Sequence, residues 1–265
     1  MARVACLMMQ RNEGRVLHAW LAHHAFLFGV ENLFVWDNGS TDRETLSILA
    51  ECAHRGVHVD STKTTAEMFR RKGEIIGARI KELDSEGNFD FLIPLDCDEF
   101  FVLQHSKEKV DFQREAILAE LETFSGDSRV LSVESAYYNV LNQRDRFWCW
   151  DHKKTFFAKR TFAKMDHGFH IGETVAGGLR KTPFSHIHFH HKPYAWMVEH
   201  SKNKLRPFMN VDDEAELKKV YSTNRLAKFI LDPEEEYQKK FDTNRTILIE
   251  GFARHLQILG SESPY

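Results

Sequence analysis

Residues 89–102 constrain this chain more than any other stretch. Phe89 to Leu95 is apolar apart from Asp90 and Pro94, and its composition suits a buried strand. The run then delivers Asp96, Asp98 and Glu99 within four positions before returning to Phe100, Phe101 and Val102. Unpaired carboxylates in an apolar setting cost several kcal/mol or take up protons. A divalent cation is one remedy, and hard oxygen ligands suit Mg²⁺ or Mn²⁺. A strand ending in a turn of solvated acids is the other. Spacing alone leaves both open.

Composition removes several classes of function. A formal net charge of −3, from 36 basic and 39 acidic residues, supplies no global field for nucleic acid or an anionic membrane. The four cysteines are far apart and show no C-x-x-C spacing, which reads as reduced thiols. The apolar part of Met1–Met9 is too short for a signal peptide, and Arg11-Asn12-Glu13 stops it. No window approaches the ~20 apolar residues of a membrane span. The expectation is a soluble, cytoplasmic protein, its oligomeric state open.

Strand and helix signals alternate along the first hundred residues. Strands are expected at Val4–Met9, Asn32–Trp36 and Val57–Val59, and helices at Val16–Phe28, after the turn Asp37–Asp42, and over residues 66–83. Such alternation predicts a mostly parallel α/β sheet flanked by helices, with ligands beyond the carboxyl ends of the strands. The polar clusters at 10–14, 37–42 and 96–99 all follow strands, so they should converge, and that convergence favours the metal reading. Further on, 111–124 reads as helix and Arg129–Tyr138 as strand. His186, His188 and His190 alternate with a period of two, sharing one strand face at a spacing of ~7 Å. Glu214–Lys228 and Glu234–Leu259 read as helices, making 206–265 a helical C-terminal extension to a domain of 1–205.

With Arg11-Asn12-Glu13, Asp37-Asn38-Gly39-Ser40-Thr41-Asp42 and Leu95-Asp96-Cys97-Asp98-Glu99-Phe100 in this order, the sequence resembles the family-2-like glycosyltransferases of GT-A fold. His188-Phe189-His190-His191-Lys192 looks like the histidine-plus-basic segment that closes the site in one branch of them. The resemblance covers about residues 3–205. It implies a GT-A-type, Rossmann-like domain with a nucleotide-sugar half at about 1–102 and an acceptor half at about 103–205. It further implies a UDP-sugar donor, a glycan, lipid-linked or protein acceptor, and inverting transfer.

Roles follow as expectations. Asp98 is the first choice for metal ligation, and Asp96 would meet the ribose hydroxyls or reach the metal through water. His188 would be the third ligand, with His186 or His190 as substitutes, and a nitrogen ligand tilts the choice from Mg²⁺ toward Mn²⁺. By resemblance Asp37 accepts a hydrogen bond from uracil, flanked by Asn12 or Glu13; a helix-capping turn is the plain reading of the same residues. Arg70, Arg71 and Lys72 are candidates for the diphosphate, or else a solvated helix face. The Glu-Asp pair that often supplies the family's base is missing between 103 and 205. Glu173 is the leading candidate for it, followed by Glu134 and Asp166. Tyr137, Tyr138, Trp148 and Trp150 are candidates to stack on an acceptor sugar or to fill the core. The rival readings are a non-catalytic nucleotide-sugar-binding protein and a sugar-nucleotide pyrophosphorylase. The latter would want a glycine-rich first loop, which Gln10–Gly14 lacks.

Overall fold

The computed structural model describes residues 1–239, 241 and 245–265. The chain begins with β1 (Val4–Gln10), α1 (Gly14–Phe28), β2 (Leu33–Asp37), α2 (Arg43–His54) and β3 (His58–Asp60). There follow α3 (Ala66–Arg70), α4 (Lys72–Glu86), β4 (Phe91–Pro94), β5 (Glu99–Gln104), β6 (Val110–Asp111) and α5 (Arg114–Glu122). The second half comprises β7 (Val130–Asn139), β8 (Arg146–Ala158), β9 (Phe162–Met165), β10 (Gly172–Thr174), β11 (Leu179–Lys181) and β12 (Phe184–His188). Last come α6 (Tyr194–Leu205), α7 (Glu214–Val220), α8 (Arg225–Leu231), α9 (Glu234–Gln238), β13 (Ile247–Leu248) and α10 (Phe252–Ile258). Among the described residues, no helix is long and apolar enough to cross a membrane.

The main sheet runs β3-β2-β1-β4-β8-β7-β12-β5-β6. Its first four strands are mutually parallel. Antiparallel β8 then joins them to the second half, where β12 lies parallel to β7 and antiparallel to β5. This is the α/β, Rossmann-like arrangement that the resemblance implies. Alternation along β1 explains why the strand reads as uniformly apolar. Val4, Cys6 and Met8 face α1 and α2, whereas Ala5, Leu7 and Met9 face α4, so both sides are buried.

Several element expectations are corrected. The expected helix over 66–83 is two helices that break at Arg71, whose φ of −95° and ψ of 15° leave the helical region. The break turns Lys72 inward, where it is buried, and leaves Arg71 at the surface. Glu214–Lys228 is also divided, because the Asn224 side chain accepts from the N–H groups of Leu226 and Ala227 and starts a new helix. Glu234–Leu259 is interrupted by β13, which pairs with β8, and by Gly251 at a φ of 84°; Lys240 and residues 242–244 of that reading lie outside the described residues. The extension also packs inward, with Phe252 and Leu256 in the main core.

Two adjacent histidines of α1 tie the layers together. His24 Nδ1–H donates to Trp20 O at 2.9 Å, and its Nε2 accepts from Phe101 N–H at 3.3 Å. His23 Nε2–H donates to Phe101 O at 2.8 Å, while its Nδ1 lies 3.2 Å from His255 Nε2 and accepts from it. Both rings are fully buried and neutral in this pattern, and both grip the backbone of one residue in β5.

Gly73 sits where α4 passes the loop after β9. A Cβ there would lie 2.5 Å from Asp166 O and 3.0 Å from His167 Cα, both backbone atoms. Gly73→Ala is therefore expected to cost about 1–3 kcal/mol by overpacking, despite the better helix propensity of alanine. Urea unfolding would show a lower midpoint, and an unchanged or raised midpoint would contradict this close approach.

Candidate functional site

A cavity of about 770 Å³ opens at the carboxyl ends of β1, β2 and β4. Residues 10–14, Asn38 and Asp42, and Asp96 to Glu99 all line it, so the three polar turns do converge. The opposite wall comes from α6 and α8, with Trp196, His200 and Arg225.

In the acidic turn each carboxylate has a different environment. Asp96 is held between two ammonium groups, Lys72 and Lys154, the latter at 2.7 Å. Burial opposes ionisation of Asp96, but Lys154 and then Lys72 keep its carboxyl well below the usual range. Glu99 is fully buried; one oxygen accepts from Asp96 N–H at 2.9 Å and from Lys154 Nζ at 3.0 Å. Burial pushes its carboxyl upward. Asp98 faces the cavity, with its Oδ2 3.4 Å from His188 Nε2. Burial is the largest influence on Asp98, yet His188 and Lys192 outweigh it and leave the carboxyl well below its ordinary value.

The histidines are placed by strand register. Pairing of β12 with β5 sets His188 opposite Glu99, and pairing with β7 sets it opposite Tyr138. Asp98, His188 and His190 bring one ligand atom each to within 4.8 Å of one another. Glu99, His152, His186 and His188 form a second group by the same measure, set deeper. Burial depresses His186 and His190, whereas the Asp98 carboxylate overrides burial at His188 and raises it. A cluster of this kind, with orphaned buried nitrogens on His186 and His188, has the donor chemistry of a cation site.

The nucleotide-side candidates divide. Glu13 lines the cavity and its carboxylate accepts from Lys192 Nζ at 3.1 Å. Asn12 also lines it, in the left-handed region at a φ of 53°, with its Oδ1 accepting from Thr41 N–H at 2.7 Å. Asp37 does not line it. Its carboxylate is buried and accepts from Gln10 Nε2 at 2.8 Å and from Ser40 N–H at 3.1 Å. It organises the turn, whose free edge toward the cavity is Asn38 and Asp42.

Three further expectations meet a different geometry. Arg71 pairs with Glu74 at 2.8 Å on the surface and does not reach the cavity; Lys72 and Arg70 do. Glu173 stands exposed on β10, paired with Lys164 at 3.0 Å, and is not positioned to take a proton from a group in the cavity. Glu134 is bound to Lys181 and Ser132, and Asp166 accepts from Ile171 N–H to shape its own turn. Of the aromatics, Tyr138 lines the cavity, Tyr137 is core and Trp150 is solvent-exposed. Lys154, His152 and His200 escaped the sequence reading. For the first two the signal was there: His152, Lys154 and Phe156 alternate on the inward register of β8.

No protein-family model matches the chain, and no curated protein matches it. Among solved structures it is similar to S. aureus TarS, at 12% identity over 89% of this chain and 47% of that one, with a TM-score of 0.39. It thus spans about half the length of TarS. It is also similar to S. aureus TarS 1-349 in complex with UDP, at 13% identity over 90% and 77% of the chains, with a TM-score of 0.42. A third similar structure is glucosyl-3-phosphoglycerate synthase from Mycobacterium tuberculosis in complex with Mg²⁺ and UDP. It shows 14% identity over 74% of each chain, with a TM-score of 0.35.

Proposed function

We propose that this chain is a glycosyltransferase that moves a sugar from a nucleoside diphosphate, UDP in the first instance, to an acceptor hydroxyl. The observation that carries this reading is the group Asp98, His188 and His190 at the floor of a cavity built from three strand-end turns. Such a cavity is in the size range of small-molecule sites, and a nucleotide sugar needs both an anchored base and a neutralised diphosphate. Mn²⁺ or Mg²⁺ would be held by Asp98, His188 and His190. When bound, the cation offsets charge on the leaving diphosphate.

The chain's own residues do the rest. Lys72 and Lys154 fix Asp96 in one orientation, so that its carboxylate edge is a preformed acceptor for sugar or ribose hydroxyls. Asn12 and Glu13 border the entry from β1, and Asn38 borders it from β2. Trp196 and Tyr138 offer aromatic faces on the acceptor side. Asp96 and Glu99 draw their counter-charges from lysines, which leaves Asp98 as the carboxylate of the turn with no lysine within ion-pair range among the described residues.

The test is UDP binding by thermal shift, with and without Mn²⁺. A ligand at 100 times its dissociation constant stabilises by about 2.7 kcal/mol, which is easily seen. Asp98→Asn should keep the fold and lose metal-dependent affinity by no less than the roughly 10–100-fold that loss of an outer-shell metal partner costs. Incubation with a UDP-sugar and Mn²⁺ should release UDP slowly, separating a transferase from a binding module. UDP affinity indifferent to both chelator and Asp98→Asn would sink the assignment.

A further inference from the structure

Of the deeper histidine group only His188 is shared with the donor-side ligands, and several of its polar atoms lack hydrogen-bond partners. Glu99 Oε1, His152 Nε2, His188 Nδ1 and both ring nitrogens of His186 are buried without a hydrogen bond among the described residues. His186 and Glu99 are fully buried, so water does not simply bathe them. Buried polar atoms left without a partner are costly. One such atom from each of the four residues lies within 4.8 Å of the others, which has the character of a ligand site.

We infer that Glu99, His152, His186 and His188 form a second cation site, built for a nitrogen-preferring divalent ion such as Zn²⁺ and sharing His188 with the Asp98–His188–His190 group. Glu99 Oε1 lies 3.8 Å from His152 Nε2, 3.5 Å from His186 Nε2 and 4.0 Å from His188 Nδ1. All four ligand atoms fall within 4.8 Å of one another. Tetrahedral zinc with bonds of about 2.0–2.1 Å holds its ligands roughly 3.3 Å apart, so sub-ångström shifts close the site. Three imidazoles and one carboxylate oxygen favour zinc over Mg²⁺, which prefers six oxygens.

The surroundings orient these ligands. His152 Nδ1 lies 2.9 Å from Tyr138 Oη; with Nε2 as the ligand, Nδ1–H donates to that oxygen. Lys154 and the Asp96 N–H occupy the other Glu99 oxygen, so Oε1 alone is presented. His188 offers Nδ1 inward while its Nε2 faces Asp98. His152 and His188 line the cavity, which supplies an entry path.

The experiment titrates the chelator-treated full chain with Zn²⁺ against a chromophoric chelator, and with Co²⁺ for its visible tetrahedral absorption. The parent should compete for a single zinc, and His186→Asn should weaken that binding by more than about tenfold. His152→Ala, at a partly exposed position, should do the same and serves if the His186 variant does not fold. His190→Ala removes only the outer group, so it should retain zinc while losing Mn²⁺-dependent UDP affinity; His186→Asn should show the reverse. That contrast separates failure of this site from failure of the donor reading. No zinc binding by the parent, equal binding by the histidine variants, or zinc lost in His190→Ala would overturn the inference.

Discussion

Lowering the pH from 7 to 5 should destabilise this protein steeply, well before its carboxylates titrate. His24 is fully buried, and burial holds its imidazole down to about 3 despite the backbone bond to Trp20 O. His23 is lowered in the same sense by burial and by its neighbour His24. Both are committed as neutral rings, each with one nitrogen accepting a hydrogen bond, so a proton has nowhere to go without breaking the contact to β5 or α10. A histidine whose folded pKa lies below its unfolded value contributes stability that is complete above about 6.5 and drains away as pH falls toward the folded value. Between pH 7 and 5 that loss is about 2 kcal/mol for a ring such as His24. His152, lowered to about 3, and His186, His190 and His200 act in the same direction. His188 opposes them, because Asp98 raises it and its contribution grows as pH falls. Urea midpoints at the two pH values decide the matter. The His24→Leu variant should lose about 1 kcal/mol per pH unit from the slope averaged over this range, whatever its absolute stability. Equal midpoints at pH 7 and 5 would refute the account.

What the sequence made legible depended on whether a residue's partner was local. The parallel half of the sheet could be read because β1, β2 and β4 are short apolar runs followed directly by polar turns, and convergence of those turns is forced by topology. Asp98 and His188, 90 positions apart, were linked through the resemblance and the chemistry of a metal site; the β12–β5 register that brings them to 3.4 Å was not legible. Asp37 reads alike whether it recognises a base or braces a turn, and only the positions of Gln10 and Ser40 distinguish the two. Arg71 and Lys72 are equivalent in sequence; a break of one residue in the helix sends one to solvent and one to Asp96. Glu173 was inferred from a missing pair, and a hairpin partner, Lys164, claims it. Lys154 was hidden because a lysine in a strand is ordinarily an outward residue.

Lys154→Met should be among the most damaging single changes available, although it keeps length and apolar volume. Its side chain is 1% exposed and sits between Asp96 at 2.7 Å and Glu99 at 3.0 Å. Burial alone would lower the lysine, and the two carboxylates more than reverse this, Asp96 foremost. Removing the ammonium leaves Asp96 with Lys72 but leaves Glu99 with no lysine or arginine in reach among the described residues, in a setting where burial already raises its carboxyl. Breaking a buried pair from one side costs about 3–5 kcal/mol. The pH dependence carries a signature. A carboxyl whose folded pKa exceeds its unfolded value is stabilised as pH falls through the folded value toward about 4.3, so the deficit of the variant relative to the parent should shrink on acidification. Lys154 also lowers His152, His186 and His188, so its removal raises them and shrinks the deficit on acidification in the same direction. Glu99→Gln added to Lys154→Met removes the stranded charge and should recover much of the loss, since deleting both partners of a buried pair is often nearly neutral. Denaturant unfolding of the parent, both single variants and the double variant completes the cycle. A deficit below about 1 kcal/mol, typical of an exposed pair, or no recovery with Glu99→Gln, would show that Lys154 does not hold the acidic turn together.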